Sequence, residues 1–242
     1  MVAGVVLLGA ALCGALYAVS DTLMDALDSK EFGDTELREP EDPALAARAE
    51  AIVPDLFGSD YTFEDVRDYD AGFARELMAA IARQDGPGDL ESARVFTRTV
   101  IVQSRANMAP DQLLEASDVY LRWLRAAQAQ GGGACREVTS HSFYEGVPTL
   151  RGEDREAEQR LLRSLIESVW LEYDGEIHNR ELPPPPRWAE VAAAESSGLS
   201  PATLRAALGD LTHPERCTAA IHVLDALLAR PKIAPATFLE RV

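Results

Sequence analysis

Residues Val2 to Val19 run for eighteen positions without a charge or a proline, and this run constrains the chain more than any other feature. As a helix it would span about 27 Å at 1.5 Å per residue, just under the hydrocarbon thickness of a bilayer. It predicts a membrane anchor over residues 1–20, or a secretory segment cleaved near Ser20, where Ala18 and Ser20 supply the small residues a signal peptidase needs. A buried core helix is the alternative for an apolar run of this length. No Lys or Arg precedes the run, and Leu12 stands where lipid attachment at Cys13 would require a small residue, so a lipoprotein is not expected. Asp21, Asp25 and Asp28 follow at once, and if the helix continues they share one face while Leu23, Met24 and Leu27 share the other. With acids rather than bases on this flank, the body is expected outside the cytoplasm, single-pass or exported.

Acidity is concentrated behind the run. Asp21 to Asp70 holds sixteen carboxylates against Lys30, Arg38, Arg48 and Arg67, which accounts for most of the chain's net charge of -17. Residues 21–42 therefore read as an extended acidic juxtamembrane linker. Such a balance, with no cluster of Lys and Arg along the chain, argues against a nucleic-acid backbone or an anionic lipid surface as partner. Membrane association is expected only through residues 2–19.

The rest patterns as an all-α body, an irregular multi-helix bundle. One helix opens at Asp42 and Pro43 and should stop at Pro54. A second begins at Thr62, whose spacing to Asp65 approximates a capping box, and carries Val66, Phe73, Leu77 and Ile81 at helical spacing as far as Gly86-Pro87-Gly88. Asp89 can cap a third. Val95 to Val102 within it is β-branched and aromatic and also fits a strand, but no partner strand is evident and helix is favoured. Residues 110–130 and 153–173 are the clearest helices, the second with Leu162, Leu165, Val169 and Tyr173 as its buried stripe. The intervening 131–152 and the later 175–186 read as irregular.

Four prolines at 183–186 predict a polyproline connector between a main helical domain at 43–182 and a smaller C-terminal helical unit at 187–242. Three helix starts repeat one pattern: Met108, Leu199 and Ile233 each stand two residues before a proline and five before Leu113, Leu204 or Phe238. Each is expected to form a hydrophobic staple.

Few constellations carry chemistry. Cys135 and Cys217 form an even pair once Cys13 is assigned to the apolar run, and an oxidising compartment would allow a bridge between them; two unpaired thiols are the other reading. Cys135 also lies six residues before His141, but a thiol nucleophile needs an orienting group and an oxyanion site that the sequence does not identify. His213, Cys217 and His222 lack the register and the second cluster of a zinc site. Asp68, Asp70 and Gly72 begin like a calcium loop but fail its spacing. Neither metal nor cofactor is predicted. His141, Glu145 and His178 remain as polar residues of the two irregular stretches, where function often sits.

Val191 to Leu211 resembles a helix-turn-helix, with Ala194, Gly198, Leu199 and Leu204 at its small, glycine and apolar positions. Arg205 is the lone base of the would-be recognition helix, which favours a packed hairpin with Val191, Leu199, Leu204 and Leu208 inward over a DNA reader. The expected function is noncatalytic binding of another protein, through the acidic linker or the glycine-rich loop before His141. An envelope enzyme using 131–152 and 175–186, or a membrane-bound regulator using 191–211, are the rivals.

Overall fold

Side-chain caps at Thr62, Asp70 and Ser200 set the starts of three helices in the computed structural model, which describes residues 42–83, 88–131, 133–143, 148–168, 171 and 184–239. The apolar run, the linker up to residue 41, and Glu145, Val169, Tyr173 and His178 lie outside these residues. Among those described, every regular element is helical: eleven α-helices and two 3-10 turns, with no strand. None of them is long and apolar enough to cross a membrane.

Helix α1 spans Pro43–Phe57 and passes through Pro54, where a stop was expected. Proline removes one backbone donor, but in the last turn that loss is small beside the burial of Ile52, Val53, Leu56 and Phe57 on one face. The single helix expected from Thr62 to Ile81 is two, α2 (Phe63–Tyr69) and α3 (Ala71–Ala82). Thr62 and Asp65 close a full capping box at the first. Asp70 then makes the corner: its amide donates to Val66 while its carboxylate accepts from the Phe73 amide at 2.8 Å. One side chain thus ends α2 and starts α3, the competition with helix backbone that Asp offers wherever it can cap.

Helix α4 covers Asp89–Gln103, so Val95 to Val102 is helical, and a 3-10 turn at Ser104–Asn107 leads to α5, Pro110–Gln130. The segment 131–152 is not wholly irregular. It contains α6 (Ala134–Ser140), followed by α7 at Glu153–Ser168. After Pro186, whose backbone is polyproline-like, come α8 (Arg187–Ser197), α9 (Pro201–Gly209), α10 (Arg216–Leu228), a 3-10 turn at Pro231–Ile233 and α11 (Ala236–Leu239).

The long helix α5 organises these pieces. Helices α1 to α4 pack on one another and on α7, α7 packs on α5, and α5 packs on α6, α10 and α11. Helix α10 meets α8, α9, α6 and α5, so residues beyond the prolines share one continuous core with Phe57, Phe73, Trp123 and Leu162. In the α8–α9 hairpin Gly198 adopts φ 73°, Ser200 accepts from the Thr203 amide at 3.0 Å and Pro201 opens α9. Leu204 is fully buried, but Val191, expected inward, is 45% exposed. The staple expected at Ile233 likewise leaves that residue 57% exposed. Helix α10 is covered by the alanines of α8, Ala189, Ala193 and Ala194, and small side chains let the helices approach without help from Val191.

Candidate functional site

Helix α6 is too short to persist alone, and three contacts hold it. Cys135 and Cys217 are joined in a disulfide with Cα atoms 5.8 Å apart, tying α6 to α10. The Tyr120 hydroxyl donates to the Val138 carbonyl at 3.2 Å. At the C-terminal end His141 takes the left-handed conformation, φ 57°, and Phe143 follows at φ 51°. That region costs a residue with a Cβ about 1–2 kcal/mol. Ring contacts offset it: His141 sets its ring edgewise to Tyr120 at 5.5 Å, and the fully buried Phe143 packs edgewise on Trp123 at 5.8 Å.

Tyr120 is the centre of a buried polar cluster. The Arg105 guanidinium lies 4.6 Å from its ring centroid, with Arg105 itself 1% exposed. Loss of water pushes Arg105 down to about 10, so it stays cationic at neutral pH. Burial pushes the Tyr120 phenol up to about 12 against the favourable charges of Arg105 and Arg216, so it is a neutral donor. Arg216 crosses from α10 to the C-terminal end of α9, where its Nη1 donates to the carbonyls of Ala207 and Leu208, a cation on the negative end of a helix. Burial lowers its proton affinity. On α6 the buried Glu137 accepts from the Ser142 hydroxyl at 2.8 Å.

A second cluster joins α4, α5 and α7. Arg98 Nε donates to Glu158 Oε1 at 2.6 Å and Nη2 to Oε2 at 3.3 Å, while Trp123 Nε1 donates to the same Oε1 at 2.7 Å. The guanidinium stands 4.9 Å from the Trp123 ring centroid. Next to it, Asp55, Arg94, Thr97, Arg155 and Glu158 line a cleft of about 10 Å³, room for one water.

The sequence-predicted residues separate in the structure. Cys135 and Cys217 meet, which places the Cys135 sulfur in a bond rather than beside His141 as a thiolate. Glu145 and His178 lie outside the described residues. His213 accepts from the Glu215 amide at 3.1 Å and His222 hydrogen-bonds Ser196 at 2.8 Å, so each packs or caps locally. Among the described residues no group of three His, Cys, Asp or Glu converges as metal ligands would. Arg205 is paired with Glu190 at 3.1 Å, which occupies the would-be recognition helix's one base. Arg98, Arg105, Glu158 and Arg216 were missed by sequence reasoning. Each looks like a solvated surface residue until its neighbours, 8 to 60 positions away, are in place.

Geometry of this kind positions helices. Bidentate charge pairing, aromatic faces over guanidinium groups and a cation on a helix end fix α4, α5, α6, α7, α9 and α10 relative to one another. The class these features define is an all-helical, disulfide-bridged domain with buried arginines engaged in packing. Comparison with known proteins finds no matching family model, no matching characterised sequence and no matching solved structure.

Proposed function

We propose that this chain is a noncatalytic helical protein of the cell envelope, tethered by residues 2–19 or exported after cleavage near Ser20, that acts by binding another protein. The observation that carries the reading is the Cys135–Cys217 bridge. Disulfides persist in oxidising compartments and are rare in the reducing cytosol, so a bridge between α6 and α10 supports a body beyond the cytoplasmic membrane, where the apolar run would deliver it. The buried arginines support the noncatalytic part, because a side chain locked between a carboxylate and an aromatic face, as Arg98 is, or bonded to helix-end carbonyls, as Arg216 is, is poorly placed to act on a substrate. Pairing of Arg205 with Glu190 weighs against the DNA-reading alternative.

The test is fractionation of cells expressing the full chain, with thiols trapped before lysis and labelled after reduction. The reading expects the protein in the membrane or exported fraction, with Cys135 and Cys217 labelled only after reduction. A chain wholly in the cytosol with both thiols free overturns it. Photo-crosslinkers placed within 21–42 and at the glycine-rich loop before His141 should then yield a protein adduct of defined mass.

A further inference from the structure

The fold brings Arg230 over Trp188, from segments some forty residues apart. At the start of α8 the half-buried Trp188 lies under the Arg230 guanidinium, 5.3 Å from the ring centroid. Arg230 ends the turn after α10, and the 3-10 turn Pro231–Ile233 continues from it, with the Ile233 amide bonded to the Arg230 carbonyl at 3.1 Å. Arg187, Arg230 and Lys232 are exposed, and none has a carboxylate within ion-pair distance among the described residues. Val191, one turn along α8 from Arg187 and Trp188, is 45% exposed, and Ile233 is 57% exposed. These are two of the three large apolar side chains that stand exposed among the described residues.

The combination is unusual for this chain. On a chain of net charge -17, Arg187, Arg230 and Lys232 have no carboxylate partner among the described residues, and Arg187 sits at the first position of a helix, where a positive charge opposes the dipole. Nothing in the helix's own stability favours it there. Glu190, the nearest acid on α8, is turned to Arg205, and Glu195 lies a turn beyond Val191. Cations around a tryptophan and protruding aliphatic residues match the two layers of a bilayer interface: anionic headgroups outside, acyl chains beneath, and an amphipathic indole between.

We propose that this face, Arg187, Trp188, Val191, Arg230, Lys232 and Ile233, docks on an anionic phospholipid surface. Nucleic acid is the poorer match, because three cations give few phosphate contacts and the exposed Ile233 and Val191 would gain nothing from them. An acidic polypeptide shares the charge but offers no hydrocarbon layer. The proposal rests on the envelope reading only for which membrane the face would meet.

The experiment reconstitutes the full chain in lipid nanodiscs of phosphatidylcholine alone, or with roughly a third phosphatidylglycerol, and follows hydrogen exchange at 187–191 and 229–234. Protection that appears with the anionic lipid, falls with added salt and is lost in R187Q/R230Q/K232Q supports docking. Each cation contributes about fivefold to partitioning on an anionic surface, so the triple variant should lose on the order of 100-fold. Ile233→Ser should weaken the same protection without abolishing its salt dependence. Equal protection in both discs, or none in either, overturns the proposal. So does stronger protection of these segments by duplex DNA or by polyglutamate than by anionic discs. A chain that fails to enter neutral discs overturns the anchor reading instead, and sedimentation with added anionic vesicles, wild type against triple variant, then decides the patch by the same 100-fold criterion.

Discussion

Glu158 accepts from both Arg98 and Trp123, and Arg98 is 1% exposed, so removing the carboxylate strands a buried cation. Glu158→Ala is expected to cost about 3–5 kcal/mol in urea unfolding, whereas R98M/E158L, which removes both charges, should cost far less. Equal losses would show that packing rather than charge pairing holds the cluster. Tyr120 gives a pH signature. Its folded phenol is pushed up to about 12, above the ordinary value near 10. Its contribution is therefore fully present below pH 10, where both states hold the proton, and is lost as pH rises toward 12, because the unfolded chain ionises first. Denaturant titrations from about pH 8 to about pH 11.5 should show falling stability in the wild type and a flatter profile in Tyr120→Phe. The variant also loses the bond to Val138, about 1 kcal/mol at neutral pH.

Where helices begin was legible from caps at the element scale; where one bends was not. Thr62 with Asp65, Ser200 with Pro201, and Pro110 each mark a start by chemistry confined to a few residues. The corner at Asp70 was hidden because Val66, Phe73, Leu77 and Ile81 keep helical spacing across it, and periodicity cannot register a break that preserves the face. Asp70→Ala removes the cap of α3 and should cost about 1 kcal/mol, measured by thermal unfolding; no change would mean the α2–α3 corner is set by packing of Phe73 on Phe57 and Phe96. Pro54 shows the converse. A breaker in the last turn of α1 gives way to four buried side chains.

For the whole molecule, the bridge and the α10 interface bind the residues beyond the prolines to the helices before them. The bridged cysteines are 82 positions apart, and closing so long a loop restricts the unfolded chain, so C135A/C217A should lose about 2–4 kcal/mol. Comparing guanidinium unfolding of wild type with and without reductant checks it; an unchanged midpoint would show that the contacts of α6 and α10 suffice. Hydrogen exchange in the same variant should rise first in 134–143, where the left-handed His141 and Phe143 depend on neighbours for their conformation.

The sequence by itself determined that the body is helical, where most helices start, and that an even cysteine pair was available, because caps, periodicity and parity are local properties. Val191 and Ile233 mark where it stopped: each follows an apolar pattern that points inward, yet alanines close the α8–α10 contact without Val191, and both side chains stand exposed. Only the tertiary structure buried Arg98, Arg105 and Arg216 and set Arg230 over Trp188. A charge's environment is set by groups remote in the chain. Its desolvation and its partners, which decide whether it packs, pairs or stands free, exist only once helices far apart in sequence have met.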